Sequence, residues 1–328
     1  RTLHLLNIGK GKMMIDKKLL STICKLYYYD ELTQNQISET LKIERTKVSR
    51  LLKKAKELGI VKIIINDMYL EQLELETRLK KKYGLKSVQL VASDENILIN
   101  IAGAAHAYLE TIAENNEIIG ITWGKTIREF SLYKPLNVNK KIDFIPLLGG
   151  YNNMKDYMSI NSMIYNLASL YKGTPYFIES PLIVDSPEMR EQIMNSTFFK
   201  KIIEIWEKLR IVVVGIGATE KSSNVLWEIG LSELKELNNL GEIREKAGKR
   251  KAIGEICSKF YDIDGKTVKT ILDDRVIGIG LEKLTQMPYS VGIAGGVEKT
   301  NAIYGAIMGK YINVLITDME TGKKLLEK

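Results

Sequence analysis

The sequence predicts an α/β protein in two parts. An N-terminal winged helix-turn-helix precedes a doubly wound, mostly parallel α/β effector domain. Three observations predict this. Residues 1–66 hold 14 Lys+Arg against 6 Asp+Glu, whereas residues 67–328 hold 34 of each, so the whole net charge of +8 sits in the N-terminal segment. Within it, Tyr27–Asn66 reads as helix, short break, helix and strand. From Ser87 onward, short β-branched runs alternate with helical stretches, the rhythm of parallel strands joined by crossover helices.

Ile15 to Tyr29 reads as the first helix, because Leu19, Leu20, Ile23, Leu26 and Tyr27 recur at spacings of three and four. Thr33 is placed to N-cap the next helix, on which Ile37 and Leu41 share a face. Ile43 and Glu44 break the pattern. Thr46 is read as the cap of a second helix running to about Leu58, with Gly59 ending it in the left-handed position. Val48, Leu51, Leu52, Ala55 and Leu58 form its apolar stripe.

The opposite face carries Arg45, Thr46, Lys47, Ser49, Arg50, Lys53 and Lys54, five cations and no acid. A solvated helix face ordinarily mixes signs, because opposite charges at i, i+4 stabilise it by roughly 0.2–0.5 kcal/mol per pair. Crowded like charges are better explained by a polyanion. Two helices joined by a tight turn, the second basic, make a helix-turn-helix. Its second helix is expected in the major groove of double-stranded DNA. Arg45 and Arg50 suit bidentate contacts to guanine, Gln34 and Gln36 suit phosphate or base, and Thr46 and Ser49 suit either. The bland alternative is a basic hairpin that packs on another domain. The β-branched run after Gly59 predicts a strand, the wing, with Lys62 near phosphate.

The expected domains are 1–66 for DNA (1–12 a tail), 67–86 as a linker helix and 87–328 as the doubly wound α/β domain, to which the family resemblance drawn below assigns effector binding and oligomerisation. In the linker, Tyr69/Leu70, Leu73, Thr77 and Lys80 trace a narrow stripe, either a dimer contact or a solvated connector. Strands are expected at SVQLVA, EIIGITW, DFIPLL, RIVVVGIGA, VIGIG, YSVGIAGG and VLITD. Helices are expected at Asn96–Asn115, Lys125–Leu132, Ser159–Lys172, Pro187–Met194, Thr197–Lys208, within Ser223–Lys251, and at Lys299–Met308.

The composition, 45% apolar and 27% charged, is that of an ordinary globular chain, and no apolar run is long enough to span a membrane. The start, RTLHLLNIGKGKMM, lacks the marks of a signal peptide, and Met13 or Met14 is expected nearer the natural start. With only Cys24, Cys257, His4 and His106 available, neither a zinc site nor a disulfide framework is expected. No metal and no cofactor is expected, and the location is expected to be cytoplasmic.

Open parallel sheets bind ligands at the carboxyl ends of their strands. Four loops there are rich in Gly or hydroxyls: 121–126, 147–150, 215–219 and 294–302. In the last, Gly295 and Gly296 permit close approach, and the following helix N-terminus favours an anion. Lys299 in the first turn opposes the helix dipole unless it holds a phosphate. Thr122, Lys125 and Thr126, with Gly124, form a second cluster at a helix start. Glu255 and Asp262, within GEICSKFYDIDG, either accept sugar hydroxyls or cap a turn. His106, inside IAGAAHAYLE, reads as a packed residue.

In order and spacing, YYYDELTQNQISETLKIERTKVSRLLKKAKELGIV, GITWGKT, PLLGG, PLIVDSPEMR, VVVGIGA, GEICSKFYDIDG and AGGVEKTNAIYGAIMGKYINVLITDMETGKKLL form a joint signature. Through it the chain resembles the SorC family of bacterial transcriptional regulators, over nearly its whole length from Ile15. The resemblance implies a C-terminal domain similar to sugar-phosphate isomerases such as glucosamine-6-phosphate deaminase, used for sensing. It implies a homodimer or homotetramer that controls a sugar-catabolic operon, with a sugar, polyol or sugar phosphate as effector. By position it puts the phosphate end against Lys125, Thr126 and the Gly295–Lys299 loop. The hydroxyl end falls against the 149–153 loop, with Gly149, Gly150 and Asn152, and against Glu255 and Asp262. Two departures stand out. Glu44-Arg45 replaces the Ser-Arg usual at the helix start, and the segment after Gly150 is rich in Asn and lacks Arg, which leaves a neutral effector open. The rival function is a sugar-phosphate isomerase or deaminase-like enzyme with an attached DNA-binding domain, for which Glu255 or Asp262 would be the base.

Overall fold

The computed structural model describes residues 17–61, 69–150, 159–219, 251–270 and 272–328, in two compact units, Arg1–Leu70 and Glu71–Lys328.

The first unit contains α1 (Lys17–Tyr28), α2 (Gln34–Leu41) and α3 (Arg45–Glu57). Leu20, Ile23 and Cys24 of α1, Ile37 of α2 and Val48, Leu51, Leu52 and Ala55 of α3 make one small core. Thr33 caps α2 in a full capping box: its Oγ1 accepts from Gln36 N, while Gln36 Oε1 accepts from Thr33 N at 2.9 Å. Gln36, expected to suit phosphate or base, is exposed and uses its side-chain oxygen to close the cap. α2 ends at Lys42, in the left-handed conformation, and Ser38 Oγ donates to Ile43 O at 2.6 Å to close the turn.

The cap of α3 differs from expectation. Glu44, not Thr46, is the N-cap, and its side chain makes no capping bond. The turn closes on Ile43, where Ser38 Oγ donates to its carbonyl, and the helix begins two residues earlier than expected, which leaves Thr46 on the first turn donating to Glu44 Oε2 at 3.4 Å. Gly59, with φ +71°, terminates the helix as expected. Leu58 continues the apolar spacing but stays exposed as the C-cap, while Ile60 and Val61 beyond Gly59 pack back on the core. The expected wing strand and Lys62 lie outside the described residues.

The second unit opens with α4 (Leu70–Tyr83), followed by β1 (Ser87–Val91), α5 (Ile97–Ile112), β2 (Glu117–Ile121), α6 (Lys125–Leu132) and β3 (Ile142–Pro146). Then come α7 (Ile160–Leu170), α8 (Pro187–Asn195), α9 (Thr197–Lys208) and β4 (Ile211–Gly215). Four short strands follow, β5 (Gly217–Ala218), β6 (Gly254–Ile256), β7 (Lys259–Tyr261) and β8 (Thr267–Val268). The chain closes with α10 (Leu281–Leu284), β9 (Tyr289–Ile293), a 3-10 turn (Val297–Lys299), α11 (Thr300–Met308), β10 (Val314–Asp318) and α12 (Met319–Leu326).

Six strands form one parallel sheet in the order β1-β10-β9-β4-β2-β3. A parallel sheet is covered on both faces, so its strands read as unbroken apolar runs; every residue of VLITD in β10 is buried. The connections diverge between β2 and β4, since β2 leads outward to β3 whereas β4 leads to the other side and β9. This is the switch point where ligand crevices form in open sheets.

Four features depart from the sequence reading. α4, expected as a linker, buries Leu75 and Leu79 in the core of the second unit, and Tyr83 Oη donates to Leu325 O. Its traced stripe, with Tyr69 and Leu73, is exposed. Residues 276–280 make isolated bridges to Ile183 and Leu148 and no strand. β5 to β8 form an unforeseen antiparallel sheet, too short in each strand for alternation to register. α12 was also unforeseen, since Gly322 at its centre weakens the helical signal. The glycine is there because a Cβ would come within 2.9 Å of the Leu90 side chain. The expected helix within 223–251 lies almost wholly outside the described residues. Among the described residues, no helix is long and apolar enough to cross a membrane.

Candidate effector cleft and nucleic-acid interface

A small cleft lies at the carboxyl ends of β2, β4 and β9, at the switch point where ligands bind in open parallel sheets. The β2 exit supplies Trp123, Gly124, Lys125 and Thr126; the β4 exit supplies Gly215, Ile216 and Gly217; the hairpin of β6 and β7 supplies Glu255 and Cys257; the β9 exit supplies Lys299.

Each wall has a local cause. Gly124 is the N-cap of α6 with φ +130° and ψ 165°, a conformation open essentially to glycine alone. No side chain caps α6, and its first internal bond runs from Arg128 N to Gly124 O. The first-turn N–H groups of α6 therefore lack helical partners, and Lys125 and Thr126 sit among them. Thr122, one residue outside the cleft lining, fastens β2 to β4: its Oγ1 accepts from Gly215 N at 2.8 Å. On the far wall, Glu255 pairs in register with Gly217, where any Cβ would collide with the Glu255 carboxylate. The β6–β7 turn is made by Cys257 and Ser258, both left-handed at φ 55° and 60°.

Charge is concentrated here. Burial pushes the Glu255 carboxyl up to about 7, against the pull of the Ser258 N–H and of Lys299. Burial pushes the Lys299 amine down, with Lys125 adding to the effect and Glu298 and Glu255 opposing it. Two lysines and a helix N-terminus thus face one carboxyl that is half ionised near neutral pH.

The expected residues divide accordingly. Gly124, Lys125, Thr126, Glu255 and Lys299 meet in the cleft. Gly149 and Gly150 do not line it. Gly149 N donates to Ile277 O and Gly150 N to Ser180 O, and a Cβ on Gly149 would lie 2.5 Å from Pro181 O, so close backbone packing explains Gly149, whereas a Cβ on Gly150 would meet only Ser180 O at 4.0 Å. Asn152 lies outside the described residues. Asp262 is buried and organises a turn, with Oδ1 accepting from Asp264 N and Lys266 N. Gly295 packs on Ile97 and Ile101, and the Gly296 amide donates to Asp318. Sequence reasoning missed Trp123 and Cys257. Trp123 stands inside the GITWGKT motif and Cys257 inside GEICSKFYDIDG, so both had an available signal. His106 is a packed residue, with Nε2 donating to Phe130 O and Tyr171 Oη donating to Nδ1. Among the described residues, no group of His, Cys, Asp and Glu gathers to hold a metal.

In the first unit, Arg45, Thr46, Lys47, Ser49, Arg50 and Lys53 are exposed on the face of α3 opposite its buried stripe. Lys54 is half-buried and pairs with Glu57 at 3.0 Å, and Gln34 is half-buried at the start of α2.

Comparison with known proteins places these features. Residues 67–327 match the family model Sugar-bind, described as "Putative sugar-binding domain". The chain is 36% identical over 320 residues to the sorbitol operon regulator of Klebsiella pneumoniae, covering 95% of this chain and 98% of that protein. It is 29% identical over 309 residues to the deoxyribonucleoside regulator of Bacillus subtilis, covering 92% and 95%. The crystal structure of the full-length sorbitol operon regulator SorC from Klebsiella pneumoniae superposes with a TM-score of 0.71, at 35% identity, over 94% of this chain and 98% of that one. The chain therefore belongs to the SorC family, and it is a transcriptional regulator rather than an enzyme.

Proposed function

We propose that this regulator binds operator DNA through α3 and that a sugar phosphate or polyol phosphate in the cleft controls that binding. The observation that carries the reading is α3 itself. One face is buried in a three-helix core, and the opposite face exposes Arg45, Lys47, Arg50 and Lys53 with no acid among them. Gln34, Thr46 and Ser49 add polar contacts, and Lys54 lies at the margin. Arg45 and Arg50 read guanine, while the lysines neutralise phosphates and make affinity steeply salt dependent.

The cleft supports the effector half of the proposal. The α6 N-terminus, Lys125 and Lys299 suit a phosphate, Glu255 suits a hydroxyl, and Trp123 offers an apolar wall. The regulator acts on a sugar-catabolic operon from the cytoplasm, as a homodimer or homotetramer. The effector shifts operator affinity only by as much as it prefers one arrangement of the protein over another.

The test begins by selecting operators from a random duplex pool with the full chain. The selected duplex is then titrated by fluorescence anisotropy with and without sorbitol 6-phosphate, glucose 6-phosphate and unphosphorylated sorbitol. Operator affinity that moves with a phosphorylated ligand and not with sorbitol supports the proposal. Affinity that no ligand moves, or no duplex selected in low salt, refutes it.

A further inference from the structure

We propose that Asp318 is the positioning residue of the effector cleft, holding in place the loop that carries Lys299; this rests on the reading of the cleft as the effector site. Asp318 ends β10 and is almost wholly buried. One oxygen does ordinary helix work: Oδ1 accepts from Thr321 N at 3.0 Å and so caps α12. It also accepts from Ser93 Oγ at 2.9 Å, in the loop leaving β1.

The other oxygen reaches elsewhere. Oδ2 accepts from Gly296 N at 2.8 Å, across 22 residues of sequence, and from Thr321 Oγ1 at 2.6 Å. Gly296 is held from both sides, since its carbonyl accepts from Lys299 N at 2.9 Å. The peptide between these two bonds has φ +102°, a conformation that L side chains rarely adopt. Its neighbour Gly295 has no room for a Cβ, with the Ile97 and Ile101 side chains at 2.6 Å. Bond by bond, the path from Asp318 to Lys299 is therefore fixed: carboxylate, Gly296 amide, Gly296 carbonyl, Lys299 amide.

The arrangement also says where an effector phosphate does not go. The Gly296 amide is already taken by a carboxylate and the Lys299 amide by the Gly296 carbonyl, so neither is offered to an anion, and the Lys299 side chain is what this loop brings to the cleft. The anion end belongs to the uncapped N-terminus of α6.

A helix cap and a positioning residue make different demands, which separates the two roles experimentally. Asp318→Ser keeps an N-cap oxygen for Thr321 N but is too short to reach Gly296, and Asp318→Asn offers one acceptor where the carboxylate has two. Thr321→Val serves as control, perturbing the start of α12 without removing the acceptor of Gly296. Amide hydrogen exchange is followed by mass spectrometry on the full chain, and sorbitol 6-phosphate and inorganic phosphate are titrated calorimetrically. The expected result is faster exchange in peptides covering 294–300 of Asp318→Ser, with α5 and β2 unchanged. Affinity for the phosphorylated probe should fall about tenfold or more, as loss of a hydrogen bond to a charged group implies. Thr321→Val should show neither change. Unchanged exchange at 294–300 in folded Asp318→Ser or Asp318→Asn overturns the proposal, as does faster exchange with unchanged probe affinity. If wild type binds neither probe, the effector reading itself fails, and the proposed role goes with it whatever the exchange shows.

Discussion

Glu255 and Lys299 stand in one cleft, and the charge of each offsets what burial does to the other: Lys299 draws the Glu255 carboxyl down from an otherwise higher value, and Glu255 draws the Lys299 amine up. The offset is incomplete for Glu255, which still titrates at about 7, well above its ordinary 4.5. Folded Glu255 thus holds its proton more tightly than the unfolded chain does. Its contribution to stability is fully present below about pH 4.5 and is lost as pH rises through 7, a change of about 3 kcal/mol. Glu255→Gln should remove this slope. Urea unfolding of wild type and variant at intervals from pH 4.5 to 8 measures it, and parallel curves would contradict the assignment.

His106 has the opposite sign. Burial pushes its ring down to about 4 from 6.5, against the Phe130 carbonyl bond, which favours the proton. The folded protein therefore resists protonating it. The stability from this group is present above pH 6.5 and is lost as pH falls through 4, again by about 3 kcal/mol. The two slopes nearly cancel between pH 4.5 and 6.5 in wild type. Glu255→Gln should accordingly become acid-sensitive in that window. His106→Gln, whose amide can serve both Tyr171 and Phe130, should instead gain stability on mild acidification. The double variant should be flat, and a wild-type slope in either single variant would contradict the pairing.

How legible the fold was depended on the length scale of each signal. β4 and β10 announce themselves as apolar runs because both faces of a parallel sheet are covered. α6 was placed to the residue, since Gly124 and the change of rhythm after it mark its start. The β5–β8 sheet was hidden because its strands are only two or three residues long. Gly149 was misread for a physical reason: a glycine that lets a ligand approach and a glycine that lets the backbone at Ser180–Pro181 approach are the same letter. Asp262 and Asp318 show the same limit. One looked like a ligand and organises a turn, while the other drew no notice and holds the Lys299 loop.

Gly149 gives a stability prediction. Its Cβ position is occupied by backbone, with Pro181 O at 2.5 Å and Ser180 O at 2.7 Å, so no flexible side chain can yield. Gly149→Ala should destabilise the second unit by about 1–3 kcal/mol, the usual cost of overpacking. Gly150 meets only Ser180 O at 4.0 Å, and Gly150→Ala should cost much less. Equal denaturation midpoints for the two variants would show that this segment moves to make room.

Arg50 and Lys53 should separate by what they do to sequence preference. Arg50→Ala should weaken the selected operator by about 1–3 kcal/mol and relax preference at one base pair. Lys53→Ala should weaken all duplexes alike and reduce the salt slope by about one. Anisotropy against the operator and a scrambled duplex at several salt concentrations distinguishes them. Uniform loss in both variants would mean that Arg50 also meets only phosphate.

Glu57 supplies a prediction of the opposite direction. It is the acid of the last turn of α3, and it holds the Lys54 amine at 3.0 Å, while that pairing keeps its own carboxyl below the ordinary range. A surface pair of this kind adds little to stability. What it does is neutralise one cation at the end of a helix proposed to lie on DNA. Glu57→Gln should therefore leave the fold intact and release Lys54 toward phosphate. Affinity for any duplex should rise, and the slope of log affinity against log salt should steepen by up to about 0.9, the value for one additional phosphate contact. Preference for the operator over the scrambled duplex should stay the same, because the gain is blind to sequence. If Glu57→Gln binds DNA no more tightly than wild type at low salt, the C-terminal end of α3 lies away from the duplex, and only its N-terminal turns, around Arg45 to Arg50, remain as the contact.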